Sequence, residues 1–323
     1  MKKLRISIIG AGAWGQALAY TFCQNSHETL LWDKNPHAHL HPCFDNIPNK
    51  PKIQKKSQHL FPADILVFVT PSHTAISALE NILPYYQEQK AKPAIIIASK
   101  GFSPHATDSL FLSENFEKKL FPNALGILSG PSFASEVFDK KPTYVSLATK
   151  NQSWGLQAIH ELTLPHFDFK LSKDVIGTQI SGAMKNLYAI GSGYLKRAEV
   201  GDNCIAKYLT LSIEELKDII LSYKASVETL LEPAGIGDLL LTCSSTQSRN
   251  FAFGYHLDQE NKDKNESLKE GTKLLHALQH IKHTHKLELP IATVICDFLN
   301  KKISHNEIIK KITFKSSSNA KAA

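Results

Sequence analysis

An apolar, β-branched run, Leu4-Arg5-Ile6-Ser7-Ile8-Ile9, leads into Gly10-Ala11-Gly12-Ala13-Trp14-Gly15 and then into Gln16-Ala17-Leu18-Ala19-Tyr20-Thr21-Phe22. That order predicts a strand, a tight turn and a helix. Further short apolar runs at Glu28–Trp32, Asp64–Val69, Ala94–Ala98, Leu125–Leu128 and Tyr144–Ala148 read as strands. Several are continuously apolar, as strands covered on both faces are. Helical periodicities separate most of them. From about Asp174 the pattern changes to long helical segments with few strand-like runs, through Asp202–Tyr223, Thr272–Lys286 and Ile291–Asn300.

This patterning predicts an α/β fold, with an N-terminal Rossmann-type, mostly parallel sheet flanked by helices and an all-helical C-terminal domain. The division falls into residues 1–173 and 174–323. Residues Asn35 to Pro62, rich in Pro, His, Asn and Lys, read as an irregular excursion, and the polar stretch His256–Glu270 as a solvated loop. The last residues, 316–323, read as a disordered tail.

Composition narrows the function classes. A chain of 323 residues fits about two domains, and 42% hydrophobic with 21% charged residues is a globular balance. The formal charge of +7 favours anionic partners such as phosphorylated metabolites. The basic residues are scattered, without a Lys/Arg block interleaved with aromatics, so nucleic acid is not expected as a partner. No apolar run approaches the ~20 residues of a membrane span, which argues against an integral membrane segment. Met1-Lys2-Lys3 imitates a signal peptide, but the glycine turn and Gln16 interrupt the apolar stretch behind it. Five widely spaced cysteines without a C-x-x-C pair argue against a disulfide framework or zinc site and point to the cytoplasm. His37, His39 and His41 alternate with no carboxylate or cysteine cluster at ligand spacing, so they read as loop residues and no metal is expected. A homodimer is left open.

The glycine turn carries the first chemistry. In a strand–turn–helix setting Gly10 makes the tight turn, Gly12 lets backbone N–H groups approach a pyrophosphate, and Gly15 lets helix and strand pack closely. The helix then points its positive end at the phosphates. At the end of the second strand Asp33 suits a ribose 2′-OH and Lys34 a 2′-phosphate, so both NAD and NADP fit.

Other candidates have a plain structural reading beside a functional one. Lys185 is the only charged residue between Asp174 and Lys196. Burial there lowers its pKa toward a value useful for proton transfer, unless it snorkels from an amphipathic helix. Asp238, after Gly235-Ile236-Gly237, either caps the helix that follows or holds a lysine. Ser248-Arg249-Asn250 brings a hydroxyl, a guanidinium and an amide together, a set suited to a phosphate monoester or to a surface turn. Gly130-Pro131-Ser132-Phe133-Ala134 permits close backbone approach to a ligand, or simply turns a strand into a helix. Lys100, before Gly101 at a strand end, faces the crevice.

Together these segments, with Pro71-Ser72-His73, Gly182-Ala183-Met184-Lys185-Asn186 and Gly201-Asp202-Asn203, resemble the bacterial NAD(P)-dependent sn-glycerol-3-phosphate dehydrogenases, in the same order over about residues 4 to 300. The resemblance implies reversible hydride transfer between a nicotinamide and C2 of dihydroxyacetone phosphate or sn-glycerol 3-phosphate, supplying phospholipid synthesis. It implies Lys185 as general acid/base, Lys100 and Asn186 polarising the C2 oxygen, and Asp238 positioning Lys185. It implies further that Arg249 and Asn250 hold the phosphate and that Gly130, Ser132 and Ser248 line the substrate site. For the cofactor it points to Ala13, Trp14, Lys34, Lys100, Ala134, Arg249 and Glu270, beside Gly10, Gly12 and Gly15. Ala13 stands where the family usually has a hydroxyl, removing a hydrogen bond worth about 1 kcal/mol. Asp33 stands where the family is usually small, and Asn35–Pro62 and Tyr208–Lys217 match poorly. A reductase of another hydroxy acid, or a nucleotide sensor without catalysis, are the competing readings.

Overall fold

The computed structural model describes residues 2–35, 37–45, 47–103, 109–257 and 264–313, without the side chains of 264–273 and 313. Its first half alternates strands and helices: β1 (Arg5–Ile9), α1 (Ala13–Gln24), β2 (Glu28–Trp32), β3 (Lys52–Gln54), β4 (Ile65–Phe68), α2 (Ser72–Gln87), β5 (Ala94–Ile97), α3 (Leu112–Leu120), β6 (Leu125–Ser129), α4 (Ala134–Phe138), β7 (Thr143–Thr149), α5 (Gln152–Leu162) and β8 (Phe167–Ser172). The strands form one sheet in the order β3-β2-β1-β4-β5-β6-β7-β8. All neighbours run parallel except β6 and β7. The order reverses between β1 and β4, and such a switch point opens a crevice at the carboxyl ends of the strands.

Period-two alternation explains why the sheet is covered twice. Ile6, Ile8, Val67 and Ile96 face a core shared with Ala17, Leu18 and Phe22 of α1. Ile9, Leu66, Phe68, Ile95 and Ile97 face another, shared with Leu79, Ile82 and Tyr86 of α2. The central strands β4 and β5 are thus buried on both faces, as their apolar sequences require.

The second half is helical: α6 (Val175–Arg197), α7 (Asp202–Ser222), α8 (Asp238–Ser244), α9 (Arg249–Tyr255), α10 (Lys264–His285), α11 (Pro290–Leu299) and α12 (His305–Thr313). α6 is buried along nearly its whole length. An all-round buried helix is a central one, and α7, α8, α9 and α11 pack against it. Among the described residues no helix is long and apolar enough to cross a membrane.

Several elements depart from expectation. Within the excursion expected between Asn35 and Pro62, Lys52–Gln54 pairs with Leu30–Trp32 as β3, a strand too short to show a period. β8 alternates buried Phe167 and Phe169 with exposed Asp168 and Lys170, a strand pattern the polar residues obscure. α10 starts at Lys264 and replaces the end of the loop expected over His256–Glu270. Its first ten residues carry one large apolar residue, Leu268, and so offer no apolar stripe to read. α12 was likewise not anticipated, and the tail expected at 316–323 lies outside the described residues.

α6 and α9 approach so closely that side chains are excluded. A Cβ on Gly254 would lie 2.0 Å from the Ile190 carbonyl oxygen, and one on Gly193 2.1 Å from that of Phe251. Backbone atoms cannot yield as side-chain ends do. Gly254→Ala is therefore expected to cost at least about 2 kcal/mol, read as a lower urea midpoint with unchanged slope. An unchanged midpoint would mean the two helices separate freely.

Candidate active site

The crevice begins at the glycine turn. Gly10 has φ +112°, and a Cβ there would meet the Val69 carbonyl carbon at 3.0 Å, so only glycine fits between the ends of β1 and β4. A Cβ on Gly15 would fall 2.0 Å from the Gly10 oxygen, which is the close strand–helix packing the turn requires. A Cβ on Gly12, by contrast, would meet nothing within 4 Å. No side chain caps α1. Its first N–H groups therefore lack a capping side chain, an arrangement of the right polarity for a pyrophosphate. Trp14 Nε1 and Thr70 Oγ1, buried beside this turn and the end of β4, have no hydrogen-bond partner among the described residues. These features fit a dinucleotide.

Across the crevice three charged side chains meet. Lys185, in the middle of α6, is only 5% exposed. Its ammonium donates to Asp238 Oδ1 and, at 2.9 Å, to Thr242 Oγ1. Asp238, 1% exposed, accepts on its other oxygen from Lys100 Nζ at 2.8 Å. Lys100 also donates to the Gly130 carbonyl at 3.1 Å, and Ser132 Oγ donates to the same oxygen at 3.0 Å. The strand ends of β5 and β6 thus reach the helical half through one hydrogen-bonded chain.

Asp238 opens α8 after a kinked turn at Gly235, where a Cβ would lie 2.3 Å from the Thr229 oxygen. Its carboxylate is turned onto the two lysines, so the capping role considered for it is replaced by charge pairing. One turn on, Thr242 Oγ1 donates to the Asp238 carbonyl at 2.6 Å and so has a lone pair left for Lys185. Thr242 was not singled out from the sequence. The signal was its i, i+4 spacing from Asp238, which places both on one helix face.

Two cations and one anion leave a net positive site. Burial is the largest influence on Lys185 and drives its pKa down to about 7, with Asp238 opposing and Lys100 reinforcing the shift. Burial alone would raise Asp238, but Lys100 and Lys185 overcome it and hold the carboxyl below its usual range. The site therefore holds a firm carboxylate beside an amine that exchanges its proton near neutrality. Asn186, the next residue on α6, is half-buried.

The Ser248-Arg249-Asn250 set starts α9. Ser248 Oγ accepts from Phe251 N at 3.3 Å and serves as the helix cap. Arg249 is exposed and Asn250 half-buried. Gln247 reaches the first half of the chain, accepting from Ser135 Oγ at 3.1 Å beside Ala134 at the start of α4. Lys34 is exposed just past β2, and Glu270 lies on α10 where side chains fall outside the described residues. Among the described residues no three His, Cys, Asp or Glu side chains are grouped to hold a metal ion. His41, one of the three alternating histidines, stacks on Phe138 at 4.3 Å between ring centroids.

Two family models match this chain. That of the NAD-dependent glycerol-3-phosphate dehydrogenase N-terminus covers residues 5–155, and that of the C-terminus covers 174–310. A glycerol-3-phosphate dehydrogenase [NAD(P)+] of Neorickettsia sennetsu is 31% identical over 304 residues, covering 89% of this chain and 87% of the relative. One of Francisella tularensis subsp. novicida is 32% identical over 330 residues, covering 95% and 96%. The crystal structure of glycerol-3-phosphate dehydrogenase from Coxiella burnetii superposes with a TM-score of 0.84 at 26% identity, covering 96% of this chain and 98% of that one.

Proposed function

The chain belongs to the NAD-dependent glycerol-3-phosphate dehydrogenase family, and from that premise we propose that its lysine–aspartate–lysine site reduces dihydroxyacetone phosphate at C2 to sn-glycerol 3-phosphate, reversibly. The observation that carries the reading is the buried Lys185, paired to Asp238 and joined through it to Lys100 at the end of β5. The nicotinamide cofactor, NADH or NADPH, supplies the hydride when bound. Gly10, Gly12, Ala13, Trp14 and Gly15 would hold its pyrophosphate on the N-terminus of α1, with Lys34 toward the adenosine end and Lys100, Ala134, Arg249 and Glu270 as further contacts.

Lys185 Nζ gives its proton to the C2 oxygen as that carbon becomes an alcohol, and in the reverse direction takes it back. Lys100 and Asn186 polarise the same oxygen before transfer. Asp238 and Thr242 fix the ammonium and leave one N–H for the substrate. Arg249 and Asn250 bind the phosphate, and Gly130, Ser132 and Ser248 line its path. The positive charge left by two lysines and one aspartate suits a dianionic substrate. We assign residues 1–173 to cofactor binding and 174–323 to catalysis, in a cytoplasmic enzyme supplying phospholipid synthesis.

Purified protein with dihydroxyacetone phosphate is expected to oxidise NADH or NADPH, followed by loss of reduced-nicotinamide absorbance. Dihydroxyacetone without the phosphate should be turned over at least about 100-fold less efficiently, because charge-assisted contacts to the phosphate contribute most of the binding. Absence of oxidation with either cofactor overturns the assignment, and equal efficiency with the two ketones removes the phosphate site.

A further inference from the structure

The end of β2 carries a charge that is held in place. Asp33 Oδ2 accepts from Ala11 N at 2.8 Å, and Oδ1 accepts from Asn35 N at 2.8 Å. Beside it Gly10 N donates to the Trp32 carbonyl at 2.8 Å. The glycine turn is thus tied to the end of β2 through two successive amides, one of them onto the carboxylate. The segment beyond is strapped to the same turn. Gln16 Nε2 donates to the Ala11 carbonyl at 2.9 Å and the His39 carbonyl at 3.0 Å, and its Oε1 accepts from His41 N at 2.6 Å. Asp33 cannot swing away without releasing these bonds.

In a sheet of this topology the adenosine ribose lies at the end of the second strand. Resting on the cofactor reading above, the geometry points to Asp33 as the residue that makes this protein prefer NADH over NADPH. Each carboxylate oxygen has a lone pair beyond its backbone bond, so the group can accept from a ribose hydroxyl. A 2′-phosphate brings up to two negative charges against a carboxylate that is half-buried and anchored. Lys34 does not offset this. It is exposed, and an exposed lysine gains little from an anion in screened water, whereas juxtaposed like charges in a partly desolvated site are strongly disfavoured.

The test is direct binding of NADH and NADPH to the purified full chain by calorimetry, without substrate. NADH is expected to bind at least about tenfold tighter, a gap that narrows as salt rises from about 50 mM to about 500 mM because screening weakens the repulsion. Asp33→Asn removes the charge, keeps one side-chain oxygen for a backbone amide, and should shrink the gap below about threefold, chiefly by tighter NADPH binding. Equal wild-type affinities, or a gap insensitive to both salt and the substitution, overturn the inference and leave the dehydrogenase reading intact. Failure of the wild type to bind either nucleotide overturns both. The salt series needs no variant, so a misfolded Asp33→Asn does not decide the outcome.

Discussion

Lys185→Met is expected to lower kcat for ketone reduction by about 10²–10⁴-fold while cofactor affinity stays within about twofold. The substitution keeps an unbranched chain of similar volume inside α6, so the helix needs no rearrangement, and Asp238 keeps Lys100 as a partner at 2.8 Å. What disappears is the proton. Lys185→Arg separates proton transfer from charge, since a guanidinium holds its proton through the accessible pH range and should not restore turnover. The wild-type pH profile follows from the same side chain. With the Lys185 pKa pushed down to about 7, reduction needs the protonated form and should slow as pH rises through that value. Oxidation of glycerol 3-phosphate needs the neutral amine and should speed up over the same interval. Steady-state rates in both directions decide this. Near-normal turnover in Lys185→Met, or parallel pH profiles in the two directions, removes Lys185 as proton donor.

The central strands β4 and β5 were legible because each is buried on both faces and reads as an unbroken apolar run. β8 and β3 were not. β8 sits at the sheet edge and alternates Phe167 and Phe169 with Asp168 and Lys170, while β3 has a single apolar residue, Ile53. The site shows the same division. Lys185 stands out as the lone charge on a long apolar helix, and the glycine turn by its place between strand and helix. Thr242 and the Asp33 clamp carry no such mark. Thr242 matters because its hydroxyl proton is already committed to the Asp238 carbonyl, and Asp33 because Ala11, 22 residues earlier, donates to it. Such facts depend on which backbone groups the fold leaves without partners. Residue type alone left Asp238 divided between capping a helix and holding a lysine, and the direction of its carboxylate distinguishes them.

Asp238→Asn should damage stability and chemistry together, in a way that separates it from Lys185→Met. In the wild type one carboxylate balances two lysines, and both its oxygens are occupied by ammonium groups. Removing its charge while the lysines stay leaves Lys185 buried beside a neutral amide, and breaking a buried pair from one side costs about 3–5 kcal/mol. The pH dependence of that loss has a definite sign. Because the folded state holds Asp238 below its ordinary pKa of 3.8, its stabilisation is complete above that value and is lost as pH falls through the lower folded-state pKa. The part of the deficit that belongs to Asp238 should therefore be complete at neutral pH and close only in strong acid, while the part that belongs to Lys185 grows as pH falls below about 7, because the variant's amine has the lower pKa. Catalysis shifts in parallel. Asp238 opposes the effect of burial on Lys185, so without it the amine titrates at still lower pH and the decline in the reduction rate moves toward acid. Urea unfolding at neutral and acid pH, with a rate profile for reduction, tests both halves. A variant unfolding at the wild-type midpoint, with the wild-type pH profile, would show that Lys185 does not depend on Asp238 for its charge.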